Sequence, residues 1–200
     1  MISSTTKIKK DSIIDPMEQH FYDVIRLIGE DPEREGLVET PKRIAKMYRE
    51  IFSGLHENPE EVLAKTFPSE GTKDLVVVQD IPFYSVCEHH FVPFYGKVHI
   101  GYIPNERIVG LSKFARLVDV FAKRPQVQER ITNEMVNTIQ KVVDPQGVIC
   151  MVEAEHMCMT MRGIKKPGSL TRTIAKSGVF EDDPNNVLEN RFFSLVNKNS

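Results

Sequence analysis

Residues 87–90 read Cys-Glu-His-His, and residues 156–158 read His-Met-Cys. Cys87 and His90 have the x-x spacing that lets two side chains grip one metal ion from a tight turn. His156 and Cys158 fall in a Val/Ile-rich run expected to be a long strand over residues 148–161. On a strand they would share a face about 7 Å apart, with Val152 and Ala154 continuing that face and Arg162 at its far end. A third cysteine, Cys150, sits in Val-Ile-Cys-Met-Val and reads as a small buried hydrophobe. That leaves Cys87, His90 and Cys158 as three ligands with a fourth position for water, the pattern of a catalytic zinc. Spacing alone would also suit Fe(II); thiolate with imidazole favours zinc. His89 and His156 then stand beside the metal without binding it, placed to move protons near neutral pH. His20, His56 and His99 have no such company and read as surface or structural residues.

Two further stretches carry weaker signals. Ser112-Lys113 lies where a loop is expected to enter a helix, with Ser112 as its cap. Free N–H groups and the helix dipole attract phosphate there, and Lys113 and Arg116 add charge on the same side. Gln128-Glu129 is expected near the start of the next helix, opened by Pro125 and pointing away from the Val127/Ile131 stripe. A carboxylate there can accept two hydrogen bonds from guanine and would find no matching donors on adenine. Taken alone, the first pair is a capped helix with solvated cations and the second is two exposed helix residues.

The elements that must position these groups are legible in outline. Asp15, Pro16 and Glu18 make a helix start, followed by Met17, Phe21, Val24, Ile25 and Ile28 on one face and by Gly29 as a stop. A second helix starts at Thr40-Pro41. It carries the stripe Ile44, Met47, Tyr48, Ile51 and Phe52, stops at Gly54, and shows Lys42, Arg43, Lys46 and Arg49 on its other face. From Asp74 the pattern turns to β. Strands are expected over 75–78 and 82–86, and over 92–103 with Val92, Phe94, Val98, Ile100 and Tyr102 alternating, interrupted only by Gly96. A helix pair follows, then a turn at 144–147, the long strand, a strand over 171–179 and a closing helix over 184–197. This is an α+β protein with an antiparallel sheet and a packed helix pair. The expected division is a flexible arm over 1–13, a helical subdomain over 14–70 and a catalytic domain over 71–200.

With 200 residues, 40% hydrophobic and 27% charged, the chain is long enough for a real core. A net charge of −2 argues against a general nucleic-acid binder, so an anionic ligand needs a local basic pocket. No apolar run is long enough to span a membrane, and residues 1–11 are polar with three lysines and lack a secretory core. Three cysteines make no disulfide framework, so a cytoplasmic, reducing location is expected.

As a set, the motifs resemble the GTP cyclohydrolase I family. They are ETPKRIAKMY at 39–48, CEHHFV at 87–92, GLSKFAR at 110–116, RPQVQER at 124–130, and HMC at 156–158 with Arg162-Gly163. The resemblance runs from about residue 15 to 180, and no functional position departs from it. It implies conversion of GTP and water to 7,8-dihydroneopterin triphosphate and formate, the entry to folate or biopterin. It implies zinc on Cys87, His90 and Cys158, and His89 with His156 as the acid–base pair. Ser112, Lys113, Arg116 and Arg162 would bind triphosphate, joined by Arg43 and Lys46 from a neighbouring subunit, while Gln128 and Glu129 would read guanine. It further implies a toroidal homodecamer on the tunnelling fold, with sites at subunit interfaces. Rival readings are a closed structural zinc site in a binding module, a related tunnelling-fold enzyme acting on pterins or deazapurines, and a redox pair of Cys87 with Cys158.

Overall fold

The computed structural model describes residues 15–197, so the arm expected over 1–13 lies outside the described residues. The chain divides into two compact units, residues 1–50 and 51–200. The division therefore falls earlier than the expected one between residues 70 and 71. Residues beyond Ile51 join the sheet unit because a 3-10 turn, Ser53–His56, and α3, Pro59–Leu63, pack against its helices. Strand β1, Thr66–Pro68, pairs with β4, Arg107–Val109.

In the first unit, α1 spans Pro16–Leu27. The Asp15 carboxylate accepts the Met17 N–H at 3.0 Å, which satisfies one of the free donors of the first turn. Gly29 leaves the helix at φ +93°, a conformation that glycine adopts without strain. Helix α2 spans Thr40–Ile51. Its packed face is rotated from the expected stripe: Pro41 and Ala45 are buried one turn apart, while Met47 is exposed. An Arg49–Asp15 ion pair and an edge-to-face contact of Phe21 with Tyr48 at 4.9 Å join the two helices. Lys42, Arg43 and Lys46 are exposed.

The second unit is built on a five-stranded sheet ordered β5-β2-β3-β6-β7. The two strands expected over 75–86 are one strand, β2, Val76–Cys87. A register shift between Val78 and Ile81 lets it continue past Asp80, whose φ is +58°. Strands β3 (Pro93–Ile103), β6 (Gly147–His156) and β7 (Leu170–Gly178) follow antiparallel. Phe94, Val98, Ile100 and Tyr102 are buried on one face, as their alternation predicts. Gly96 interrupts that face because a Cβ there would strike the Glu153 carbonyl of the neighbouring strand.

Helices α4 (Leu111–Ala122) and α5 (Gln128–Val143) cover this face with Phe114, Leu117, Phe121, Ile131, Met135 and Ile139. The other face carries a smaller core in which Ile149 and Met151 meet Phe192 and Val196 of α7, Val187–Val196.

Three local expectations are corrected. Ser112 is not the cap of α4: Gly110 is, in extended conformation, with no side-chain cap bond. Pro125 does not open α5. Residues Pro125–Gln126 form β5, parallel to Val86 and Cys87, and the helix starts only at Gln128. The long strand stops at His156, and Met157–Thr160 is a helical turn, α6.

His99 is 3% exposed. Its Nδ1 accepts the Asp80 N–H at 3.2 Å, and its Nε2 has no protein partner. Around it lie the ion pairs Lys97–Asp80 at 2.7 Å and Arg172–Glu153 at 2.9 Å. Burial lowers its pKa from the ordinary 6.5; Asp80 and Glu153 oppose that shift while Lys97 and Arg172 add to it. A base that resists protonation only when folded costs stability as pH falls below its unfolded value. Melting temperature should therefore fall as pH drops below about 6.5, and His99→Gln should flatten that slope. Thermal melts of both proteins between about pH 5 and 8 check this; parallel slopes would refute it.

Candidate active site

Sheet order brings four strand ends together. Cys87 ends β2 and His156 ends β6; Pro93 begins β3 between them and Leu170 begins β7. In register, Val86 faces Pro93 and Phe94 faces His156.

Residues 87–92 fold as a tight turn off the end of β2. The Cys87 N–H donates to the Val92 carbonyl at 2.9 Å, and the Phe91 N–H donates to the Cys87 carbonyl at 2.9 Å. Phe91 closes the turn at φ +54°, outside the usual range for a bulky residue. The Glu88 N–H donates to the Gln126 carbonyl at 3.0 Å, tying the turn to β5.

The turn delivers Cys87 and His90; the helical turn after β6 delivers Cys158. One donor atom from each lies within 4.8 Å of the other two. Among the described residues this is the one group of three or more His, Cys, Asp or Glu whose donors converge so closely. The argument from strand alternation fails at Cys158, which reaches the site because the chain turns helical after His156.

Bonds of about 2.3 Å to sulfur and about 2.0 Å to nitrogen fit around one point inside such a triangle, so the donor set suits zinc. Burial pushes the Cys158 thiol up in pKa and the neighbouring Cys87 sulfur pushes it further, while Arg162 pulls it down. A cation bound between the donors would favour the charged form of Cys158. Cys150 is fully buried in the core between sheet and helices, and burial alone drives its pKa far up.

The two remaining histidines are unlike each other. His89 is exposed, with Nδ1 3.8 Å from Cys87 Sγ and Nε2 3.9 Å from Glu88 Oε1. His156 is half-buried, its ring stacked on Phe94 at 4.7 Å and 3°. Its Nε2 lies 2.7 Å from Gln128 Oε1. Burial lowers its pKa, against the opposing charge of Glu129.

The expected exposed pair at 128–129 therefore splits. Gln128 is 1% exposed and turned into the protein, whereas Glu129 is exposed in the first turn of α5. Ser112 is exposed in the first turn of α4. Lys113 and Arg116 line a groove of about 240 Å³ with Glu57, Val62, Asp119 and Lys123. Arg162 is exposed just after α6. Arg43 and Lys46 belong to the first unit.

Sequence reasoning missed Phe94 and the bidentate pair of Glu88 with Arg130, at 2.6 and 3.1 Å. Phe94 looked like one more apolar residue in an alternating strand. Glu88 and Arg130 are 42 residues apart, and no local pattern links them. The pair clamps the metal turn to the start of α5. Arg130→Ala is expected to weaken metal retention by about tenfold, as loss of a supporting contact around a metal site does. Competition against a chelator measures this; an unchanged affinity would remove the clamp's role.

Similarity to known proteins agrees with this geometry. A family model described as GTP cyclohydrolase I matches residues 17–197. Curated proteins named GTP cyclohydrolase 1 from Bacillus mycoides (strain KBAB4) and Bacillus cereus (strain B4264) are each 59% identical over 161 residues, covering 80% of this chain and 85% of theirs. Among solved structures, the archaeosine synthase QueF-Like in the apo form aligns with 52% of this chain and 93% of its own, at 21% identity and TM-score 0.44. That likeness is too slight to build on. With a family model spanning nearly every described residue and relatives at this level of identity, the chain belongs to the GTP cyclohydrolase I family.

Proposed function

We propose that this enzyme opens the purine ring of GTP with zinc held by Cys87, His90 and Cys158, giving 7,8-dihydroneopterin triphosphate and formate at the entry to tetrahydrofolate and other pterins. The observation that carries the reading is the convergence of two sulfurs and one imidazole within 4.8 Å, with no fourth donor in the group among the described residues. A closed structural site would supply that fourth donor.

In this reading the triphosphate lies against the first turn of α4 at Ser112, with Lys113, Arg116 and Arg162 neutralising its charge. Arg43 and Lys46, on the exposed face of α2, serve a neighbouring copy. Glu129 accepts from the ring N–H and exocyclic amine of guanine. His156 gives a proton to N7, which makes C8 electrophilic. His89, open to solvent, moves protons in the later rearrangement of the ribose and its reclosure as a dihydropterin. Zinc, when bound, supplies the Lewis acidity that brings the pKa of water toward about 7, and so provides the nucleophile for ring opening and formate release. Cys87 and Cys158 hold the charge in place, and Phe94 keeps the His156 ring in one plane.

A ring-shaped decamer is part of the proposal. β7 stands at the edge of the sheet with a strand on one side only, which leaves its other side open to a second copy. No helix among the described residues is long and apolar enough to cross a membrane, in keeping with work on a diffusible nucleotide in the cytoplasm.

Incubation with GTP should release formate and, after oxidation, a fluorescent pterin. Cys158→Ala should lose zinc and formate release together; full turnover by a zinc-free variant would overturn the ligand assignment. Glu129→Ala should erode the preference for GTP over ATP by at least about tenfold, on the scale of one lost charged hydrogen-bonding partner. Competitive turnover of the two nucleotides reads this, and an unchanged preference would remove Glu129 from base recognition.

A further inference from the structure

Gln128 sits at the first position of α5 with its side chain sealed from solvent. Its Nε2 lies 2.9 Å from the Val152 carbonyl, 3.1 Å from the Thr171 carbonyl and 3.2 Å from Thr173 Oγ1. The two carbonyls only accept, so the group facing them must be the amide NH₂. Turning the amide over would set its oxygen against both carbonyl oxygens.

The hydroxyls around it point the same way. Thr132 Oγ1 donates its one proton to the Gln128 main-chain carbonyl at 2.8 Å. At the 2.6 Å contact between Thr132 and Thr173, the donor is therefore Thr173. With its proton spent, Thr173 Oγ1 can only accept, and it shares the two hydrogens of the Gln128 amide with the two carbonyls. All three neighbours of Gln128 Nε2 are acceptors, so the amide has one orientation, and Gln128 Oε1 faces His156 Nε2 at 2.7 Å as an acceptor.

An acceptor at that distance requires a hydrogen on Nε2. The neutral ring then carries its lone pair on Nδ1, and any second proton must enter and leave there. Stacking on Phe94, with ring planes 3° apart, sets the plane of the ring, and the Nε2 contact to Gln128 sets which way Nδ1 faces within it.

We infer that Gln128 is a positioning residue: its amide, anchored on Val152, Thr171 and Thr173, holds His156 as the Nε2–H tautomer so that the proton exchanged with substrate passes through Nδ1. This rests on the proposed role of His156 as proton donor. It separates Gln128 from Glu129, since the Gln128 amide hydrogens are turned into the protein and its side chain is sealed from solvent. The catalytic residue remains His156.

The test uses the zinc-loaded enzyme labelled with ¹⁵N-histidine, with the His156 signals assigned by their loss in His156→Ala. Solid-state NMR should show Nε2 protonated and Nδ1 bare in the neutral ring; the opposite tautomer would overturn the inference without touching the zinc ligands. Gln128→Met keeps the length and removes the acceptor. Its kcat should fall by about 100-fold, within the range of one misplaced acid–base group, while KM for GTP and the GTP/ATP preference hold within about threefold. Its NMR spectrum should lose the Nε2–H preference. Retained kcat with a raised KM and weakened discrimination would overturn the inference in favour of direct base recognition. Full turnover by His156→Ala would sink the proton-donor reading, and with it the catalytic value of the tautomer, even where the wild-type spectrum shows Nε2–H. Should Gln128→Met fail to fold, the wild-type spectrum still decides the tautomer.

Discussion

Two sulfurs and an imidazole held within a few ångströms of one another make a place suited to a positive charge. As neutral thiols the sulfurs would be better placed in the core, as Cys150 is. As bare thiolates they would drive each other away. The arrangement of Cys87 and Cys158 is stable when a cation takes up both charges, with His90 completing its surroundings from the exposed side of the turn. The remaining architecture serves this convergence: β3 lies between β2, which ends at Cys87, and β6, which leads into the helical turn that carries Cys158, and its long unbroken register with β6 keeps their ends level.

Around that centre, burial divides the labour. His156 and Gln128 are withdrawn into a bonded group shared by α5, β6 and β7. His89, Glu129, Ser112 and Arg162 face outward, where a ligand can meet them. A rigid interior half and a solvated outer half suit a reaction that opens one ring at a fixed atom and then rearranges a flexible intermediate.

The sequence was most readable where chemistry and local geometry coincide. Cys87-x-x-His90 is a turn motif, and the turn forms as its spacing demands; Asp15-Pro16 starts a helix for reasons contained in those residues. The alternation from Phe94 to Tyr102 identified one face of β3, including the gap at Gly96. Legibility failed where partners distant in sequence decide the outcome. The strand carrying His156 ends two residues before the apolar pattern suggests Cys158 should align with it. Pro125 looked like a helix start because nothing nearby reveals that β2 will pair with it. Gln128 looked solvated because its partners, Val152, Thr171 and Thr173, lie 24 to 45 residues away. The motifs picked out the candidate residues, but not which of them would be exposed and which buried among partners from other strands.

The two-residue strand Pro125–Gln126 serves three neighbours at once. It pairs with the last residues of β2, it accepts the Glu88 N–H, and it leads directly into the turn of α5 that bears Gln128 and Glu129. Just before it, Arg124 is fastened to the Gly54 and Glu57 carbonyls at 2.9 and 3.0 Å. A connection between helices is usually where evolution inserts and deletes freely. Here one added residue would shift the turn at Cys87–Val92 against the start of α5, so the linker's length acts as a ruler between them.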